Sequence, residues 1–250
     1  MGINKWRFLS FGGGVQTTAL LLMDDYDEVI FADTQGEWPE TYQYMQKYIL
    51  PYVREKGIRF AVVDHPVSDS EEMTPTKSLE EFCLWRRMTP SRQNRWCTDR
   101  FKIRRIARYI KGAGHNPAIA VMGISWDEAE RMHESHSRAY TFEYPLIEKR
   151  LTRQDCKQII MDHGWPVPPK SGCWFCPFQR VDQWKRLYQL HPDLFERARR
   201  VEENQQHYPK YVLSGTGLPL SRLASRKFGE GNSKLDSWLD ETCETGFCFL

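Results

Sequence analysis

Three consecutive glycines, Gly12-Gly13-Gly14, separate a short apolar run, Arg7 to Phe11, from Val15-Gln16-Thr17-Thr18-Ala19-Leu20-Leu21-Leu22-Met23. The first run has the character of a strand and the second that of a helix. A strand that breaks into glycines and resumes as a helix is suited to hold an anion. Glycines let the backbone approach, unpaired N–H groups point at the ligand, and the helix dipole favours negative charge. Ser10, Thr17 and Thr18 add hydroxyls at the same place. The loop has neither the lysine of G-x-x-x-x-G-K-S/T nor the spacing of G-x-G-x-x-G, which excludes the two common nucleotide loops. Its alternative is a plain turn between strand and helix.

Sulfur is the second chemistry on offer. The chain has seven cysteines, an odd number, and its start runs into the first strand without a leader-like segment. A cytoplasmic protein is expected, in which metal ligation or redox chemistry outranks a disulfide framework. Cys173-x-x-Cys176-Pro177 sits in a loop rich in glycine and proline rather than at a helix start, which favours a metal half-site over a thioredoxin-like pair. Four ligands are usual for zinc and iron–sulfur centres, and Cys243 and Cys248 form a second pair. Cys83 and Cys156 fall in apolar helical patterns and read as core thiols. His133 and His136, among Arg131, Glu134 and Arg138, read as a polar helix face rather than a metal site.

Residues 86–111 carry Arg86, Arg87, Arg92, Arg95, Arg100, Lys102, Arg104, Arg105, Arg108 and Lys111 against one acid, Asp99. Arg100, Arg104, Arg108 and Lys111 recur at helical spacing, and Trp85 and Trp96 flank the loop before them. Basic residues interleaved with aromatics suit tRNA or DNA. The alternative is a solvated helix face with one or two arginines on a nucleotide's phosphates. The net charge of +2 argues for neither.

These groups need elements to position them. Glu28 to Asp33, Ile58 to Asp64 and Ala118 to Ser125 read as further strands. Residues 39–55, 78–88 and 98–111 read as helices. Alternating strands and helices imply an α/β fold, a parallel sheet with helices on both faces. Ligands in such sheets bind beyond the carboxyl ends of the strands, where the glycine loop, Asp33-Thr34, Asp64 and Gly123 all fall. From residue 143 the chain reads as a helical, cysteine-bearing C-terminal region, with a helix opening at Thr152 and two more between 179 and 206. A nucleotide-binding core over 1–142 and a C-terminal region over 143–250 are expected. The 250 residues contain no apolar run of the roughly 20 needed to span a bilayer, so no membrane is expected.

Four segments together resemble a known family. The glycine loop looks like the PP-loop of N-type ATP pyrophosphatases. Asp33-Thr34-Gln35-Gly36-Glu37-Trp38-Pro39-Glu40-Thr41 is similar to the Asp-Thr-Gly…Pro-Glu-Thr segment of the phosphoadenosine phosphosulfate (PAPS) reductase branch. Arg95-Trp96-Cys97-Thr98 with Lys102 resembles its Arg-x-Cys…Lys segment, and Gly123 to Glu128 with Arg131 its fourth-strand segment. The resemblance covers roughly residues 7–150. It implies a Rossmann-like adenine-nucleotide α-hydrolase fold, binding ATP or a sulfonucleotide. Departures are plain: PP-loops usually read Ser-Gly-Gly-x-Asp-Ser, and here Gly12, Gln16 and Thr17 stand first, fifth and sixth. Gln35 replaces a glycine, and the Glu-Cys-Gly-x-His segment of sulfonucleotide reductases is missing.

The resemblance further implies roles. Ser10, Gly12, Gly13, Gly14, Gln16 and Thr17 would hold pyrophosphate, and Asp33 and Thr34 would face the adenosine. Lys102 and Arg95 would neutralise phosphate or substrate charge, with Gly123, Asp127, Glu128 and Arg131 lining the same opening. Adenylylsulfate reductases of this branch bind a 4Fe–4S cluster, which points to Cys97, Cys173, Cys176 and one of Cys243 and Cys248; zinc is the alternative metal. Magnesium is expected because a pyrophosphate leaving group needs charge compensation. The expected activity is substrate adenylation with pyrophosphate release, for sulfur transfer or nucleic-acid modification, with a sulfur donor or modification-complex protein as partner. Two alternatives stand beside it. One is a sulfonucleotide reductase; the other is a non-catalytic nucleotide- and nucleic-acid-binding module with structural zinc.

Overall fold

A computed structural model describes residues 6–63, 78–115, 117–135, 137–206 and 211–228. Strand β1 (Arg7–Phe11) leads through the glycines into α1 (Val15–Met23), as expected. Strand β2 (Glu28–Ala32) is buried along its length. The single helix expected over 39–55 is α2 (Pro39–Tyr44), a π-helical turn (Met45–Ile49) and α3 (Leu50–Glu55). The cause is Pro51, which has no N–H to donate and whose ring crowds the preceding turn. The helix widens just before it, and Leu50 N donates to Met45 O. Strand β3 is Arg59–Val63.

Helix α4 (Leu79–Arg86) opens on a capping box, Ser78 with Glu81, and closes on Arg87 in the left-handed region. Helix α5 (Trp96–Thr98), a second π-helical turn (Asp99–Ile103) and α6 (Arg104–Gly112) make one continuous run. Strand β4 (Ala118–Val121) is shorter than expected and gives way to an irregular Met122–Ser125 and a 3₁₀ turn (Trp126–Arg131). Residues 132–135 are not helical, so the polar helix face expected around His133 does not form; His136 lies outside the described residues. A fifth strand, β5 (Tyr140–Glu143), was not expected. Then follow α7 (Pro145–Glu148), α8 (Arg153–Asp162) behind the Thr152–Asp155 capping box, α9 (Val181–Leu190), α10 (Pro192–Asn204) and α11 (Leu220–Lys227).

Two compact units divide these elements. The first holds the five-stranded sheet, all parallel, in the order β3-β2-β1-β4-β5, with α1 to α3 and α6 to α8. On one face Leu9, Phe11, Val29, Phe31 and Val121 pack with α1, α3 and α8 through Leu20, Val53 and Ile160. The opposite face meets α6, where Tyr109 donates to the buried Glu28 at 2.6 Å. The sheet is therefore covered on both faces, an α/β fold of the expected kind.

The second unit holds Thr34–Gly36, α4, α5, the Cys173 loop and α9 to α11. Phe82 packs with Trp96 and Phe101, and Trp184, Phe195 and Phe228 form a further aromatic group. Buried Glu202 accepts from Leu213 N and Leu220 N, tying down the chain before α11. The boundary expected at residue 142 does not coincide with this division. β5 is needed to extend the sheet beyond β4, and α8 to cover α1, so the first unit runs on past it. No helix of the described residues is long and apolar enough to cross a membrane.

Candidate functional site

In the sheet unit β1 is flanked by β2 and β4. The chain turns one way from β1 to β2 and the other way to β4, a topological switch point where such sheets open a crevice at the strand ends. The glycine loop leaves β1 there, and Gly123 follows β4. Gly13 has φ +72°, the left-handed region, and a Cβ on it would stand 2.8 Å from Thr41 Cγ2. A Cβ on Gly14 would stand 2.8 Å from Ser171 Oγ, and one on Gly123 2.6 Å from Thr17 Cγ2. Gly14 is the N-cap of α1 and has no side chain with which to cap it. The close-packed loop thus leads into a helix start that has no side-chain cap of its own.

One of the hydroxyls near the loop has other work. Gly12 N donates to Thr17 Oγ1 at 3.3 Å, and Thr17 Oγ1 donates to Gly14 O at 3.2 Å, so Thr17 closes the loop on itself. Thr18 is fully buried, and Ser10 lies within β1. Gln16, at the second position of α1, is the centre of a network. Its Nε2 donates to Glu128 Oε2 at 3.2 Å and lies 3.4 Å from Ser125 Oγ. Its Oε1 accepts from Arg153 Nη1 at 2.7 Å. Arg131 Nη1 donates to the same Glu128 oxygen at 2.8 Å, and Arg153 N donates to Asp127 Oδ1 at 3.0 Å. The structure therefore joins Gln16, Asp127, Glu128, Arg131 and Arg153 in one network.

At the end of β2, Asp33 Oδ1 accepts from Tyr42 OH at 2.7 Å, and Asp33 O accepts from Arg105 Nη1 at 3.0 Å. Burial, and then Asp33, hold the Tyr42 phenol well above its usual range. Arg105 is only 1% exposed, turned away from the basic face expected of α6, while Arg104, Arg108 and Lys111 are exposed. Lys102 Nζ lies 3.5 Å from Glu37 Oε1, whose side chain is wholly buried, so its charge meets an acid of the chain itself. Asp64 lies outside the described residues.

Thr34 and Arg95 belong to the other unit. Thr34 Oγ1 is 3.3 Å from Cys173 Sγ, and Thr34 O accepts from Leu79 N. Arg92 and Arg95 both lie over the Phe178 ring. Trp85 is 48% exposed beside Arg86, but Trp96 packs between Phe82 and Phe101 and donates through Nε1 to Thr89 O. Of the two tryptophans expected to offer a stacking face, only Trp85 does so; Trp96 is taken up by the aromatic core.

Cys97, Cys173 and Cys176 are half-buried; Cys83 and Cys156 are buried, as expected of core thiols. Cys176 N donates to Cys173 O in a tight turn, and Trp174 N donates to Gly36 O. Burial pushes the Cys83 thiol well up, with Cys97 and Cys173 adding to the shift. Burial also raises the Tyr211 phenol, Arg92 opposing and Cys176 and Cys97 adding. These thiols share one neighbourhood. Yet among the described residues no three His, Cys, Asp or Glu side chains gather into a group that could hold a metal ion. Cys243 and Cys248 lie outside the described residues. Cys97, Cys173 and Cys176 do not by themselves fit a metal centre. Magnesium fares no better at the loop: Gln16 is neutral, Glu128 is held by Gln16 and Arg131, and Asp127 accepts from Arg153 N.

Arg153, Tyr42 and Ser171 were not expected at the site. The Thr152–Asp155 capping box, legible in sequence, places Arg153 as the first residue of α8; its approach to Gln16, 137 residues earlier, carries no local signal.

No protein-family model matches the chain, and no curated protein gives a significant match. Among the solved structures similar to it are these two. One is a phosphoadenylyl-sulfate (PAPS) reductase from Candida auris in a phosphate complex, 15% identical, covering 70% of this chain and 83% of that one, with a TM-score of 0.49. The other is the U34-tRNA thiolase NcsA from Methanococcus maripaludis with its 4Fe–4S cluster, 11% identical, covering 89% and 80%, with a TM-score of 0.39.

Proposed function

We propose that the chain is a PAPS reductase-like PP-loop enzyme that binds ATP at the carboxyl end of its sheet and adenylates an acceptor. The observation that carries this reading is the loop itself. Neighbouring side chains crowd Gly13, Gly14 and Gly123 so closely that a Cβ at any of the three would clash, and α1 starts on a glycine that has no side chain to cap it. Three backbone approaches around one helix start are more than a turn requires.

In the proposed reaction an acceptor oxygen attacks the α-phosphorus of ATP. The bond from that phosphorus to the bridging oxygen breaks, and pyrophosphate leaves with the electron pair. The loop N–H groups and the α1 dipole stabilise the charge that develops on the leaving group, and the packed loop holds it in line. The acceptor class we favour is nucleic acid, because Arg104, Arg108 and Lys111 form an exposed basic face on the sheet unit. A sulfide-level nucleophile from a separate sulfur donor would then attack the carbon that bears the adenylated oxygen, the carbon–oxygen bond breaking as AMP leaves with the electron pair, and no step here is assigned to a metal.

The test is pyrophosphate release from ATP by purified protein, with bulk tRNA and with DNA. Release that depends on an acceptor supports the reading. Thioredoxin-dependent sulfite release from PAPS or adenylylsulfate would replace it with a reductase. Salt-dependent nucleic-acid binding without ATP turnover would replace it with a non-catalytic module.

A further inference from the structure

The misfit of magnesium at the loop has a positive counterpart. Gln16 donates to a carboxylate on one side and accepts from a guanidinium on the other. An amide does both without charge. A carboxylate at position 16 would face Glu128 Oε2 across 3.2 Å, where two like charges cannot both be held cheaply. Both ends of the Gln16 amide are engaged, so neither is presented to a cation. The hydrogen bond to Gln16 uses one of the five N–H donors of Arg153. Arg131 is held by Glu128, which Gln16 also contacts, with nine-tenths of its side chain buried. The two acids and two arginines balance, so the cluster has no surplus of negative charge with which to hold a divalent ion.

Resting on the reading of this loop as a nucleotide site, we propose that Arg153 and Arg131, positioned by Gln16 and Glu128, meet the charge of bound phosphates. Phosphate binding at this loop then needs no divalent cation. Guanidinium groups suit this role because their planar fork matches phosphate oxygens and their charge is permanent. Gln16 is a positioning residue: it fixes the Arg153 head near the first turn of α1.

Inorganic pyrophosphate and ATP are titrated calorimetrically into the full chain, once with EDTA and once with magnesium. The unaltered protein should bind both ligands in EDTA, within about threefold of its affinity in magnesium. Arg153→Met should weaken pyrophosphate at least about tenfold in either condition, the size of one lost charge-assisted hydrogen bond. Arg153→Lys should recover part of the loss. Binding only when magnesium is present, or Arg153→Met binding like the unaltered protein, overturns the inference and leaves the nucleotide loop standing. A folded protein that binds neither ligand in either condition overturns the loop reading, and the inference with it. Thermal melts report whether each variant folds; if Arg153→Met does not, the comparison with and without magnesium in the unaltered protein decides.

Discussion

The sheet unit and the cysteine unit treat their chemical groups in opposite ways. Around the glycine loop the side chains of Gln16 and Thr17 have partners within the same unit. Gln16 joins Glu128 to Arg153, and Thr17 closes the loop on Gly12 and Gly14. In the cysteine unit the thiols come near one another without forming a ligand set, and the remaining two cysteines lie outside the described residues. A site organised by hydrogen bonds is complete without its ligand, because its partners come from the chain itself. A site organised by a metal is assembled by the metal, so its ligands need not converge without it.

The largest effect should come from crowding the loop. Gly123→Val places a branched side chain against Thr17, 2.6 Å from where its Cβ would stand. It should cost about 1–3 kcal/mol of stability and abolish measurable ATP binding; urea unfolding and calorimetry check both. Gly164, like Gly13, has a positive φ, but a Cβ there would meet nothing within 4 Å, so Gly164→Ala should leave ATP binding unchanged. Loss of binding in that control would end the contrast between packed and open glycines.

Arg105→Met comes next. It removes a buried guanidinium from Asp33 O and should destabilise the sheet unit by about 1.5–3 kcal/mol. Denaturant midpoints measure it, and a change within error would mean that the buried charge does not support the end of β2.

The cysteine unit is probed by metal content. Because the described thiols do not gather into a metal group, the double variant Cys243→Ser, Cys248→Ser should carry no stoichiometric iron or zinc after anaerobic purification. Full metal content in that variant would show that Cys97, Cys173 and Cys176 assemble a centre unaided, and the contrast between the units would fail.

Cys156 gives a pH dependence. Burial in the sheet unit pushes its thiol up to about 12. The folded protein keeps this proton at pH values where the unfolded chain releases it. The resulting stabilisation is whole below the ordinary thiol range and declines as pH rises from that range towards about 12. In Cys156→Ala the decline should be shallower, as read by urea midpoints at a series of alkaline pH values. The smallest effect should follow Glu80→Gln, which breaks the partly exposed ion pair with Arg197 in the cysteine unit. About 0.5 kcal/mol is expected, shrinking in high salt.

Much of this was legible in the residues because local rules govern it. The run from Arg7 through the glycines to Met23 reads as strand, turn and helix from composition alone, and the structure keeps those bounds. Thr152 and Asp155 announce a helix start through a contact three residues long. Strand β5 was missed because its four residues carry too little pattern to separate from a loop; it is a strand because β4 offers it a free edge. α11 was missed in a polar, glycine-dotted tail, where its amphipathic face has meaning only once α9 and α10 are there to receive it. Trp96 stands among basic residues in the sequence, but Phe82 and Phe101 draw it inside.

By itself the sequence determined that a glycine loop enters a helix at the end of a strand, and that a parallel α/β sheet carries it. Both follow from periodicity and backbone freedom over a few residues. Only the tertiary structure decided what surrounds that loop: Ser171 against Gly14, Thr41 against Gly13, and Arg153 on Gln16. These contacts join residues far apart in the chain, brought together by the crossover that places β4 beside β1 and α8 beside α1. No local preference encodes a side chain's distant partner; the packing of the sheet and its helices does.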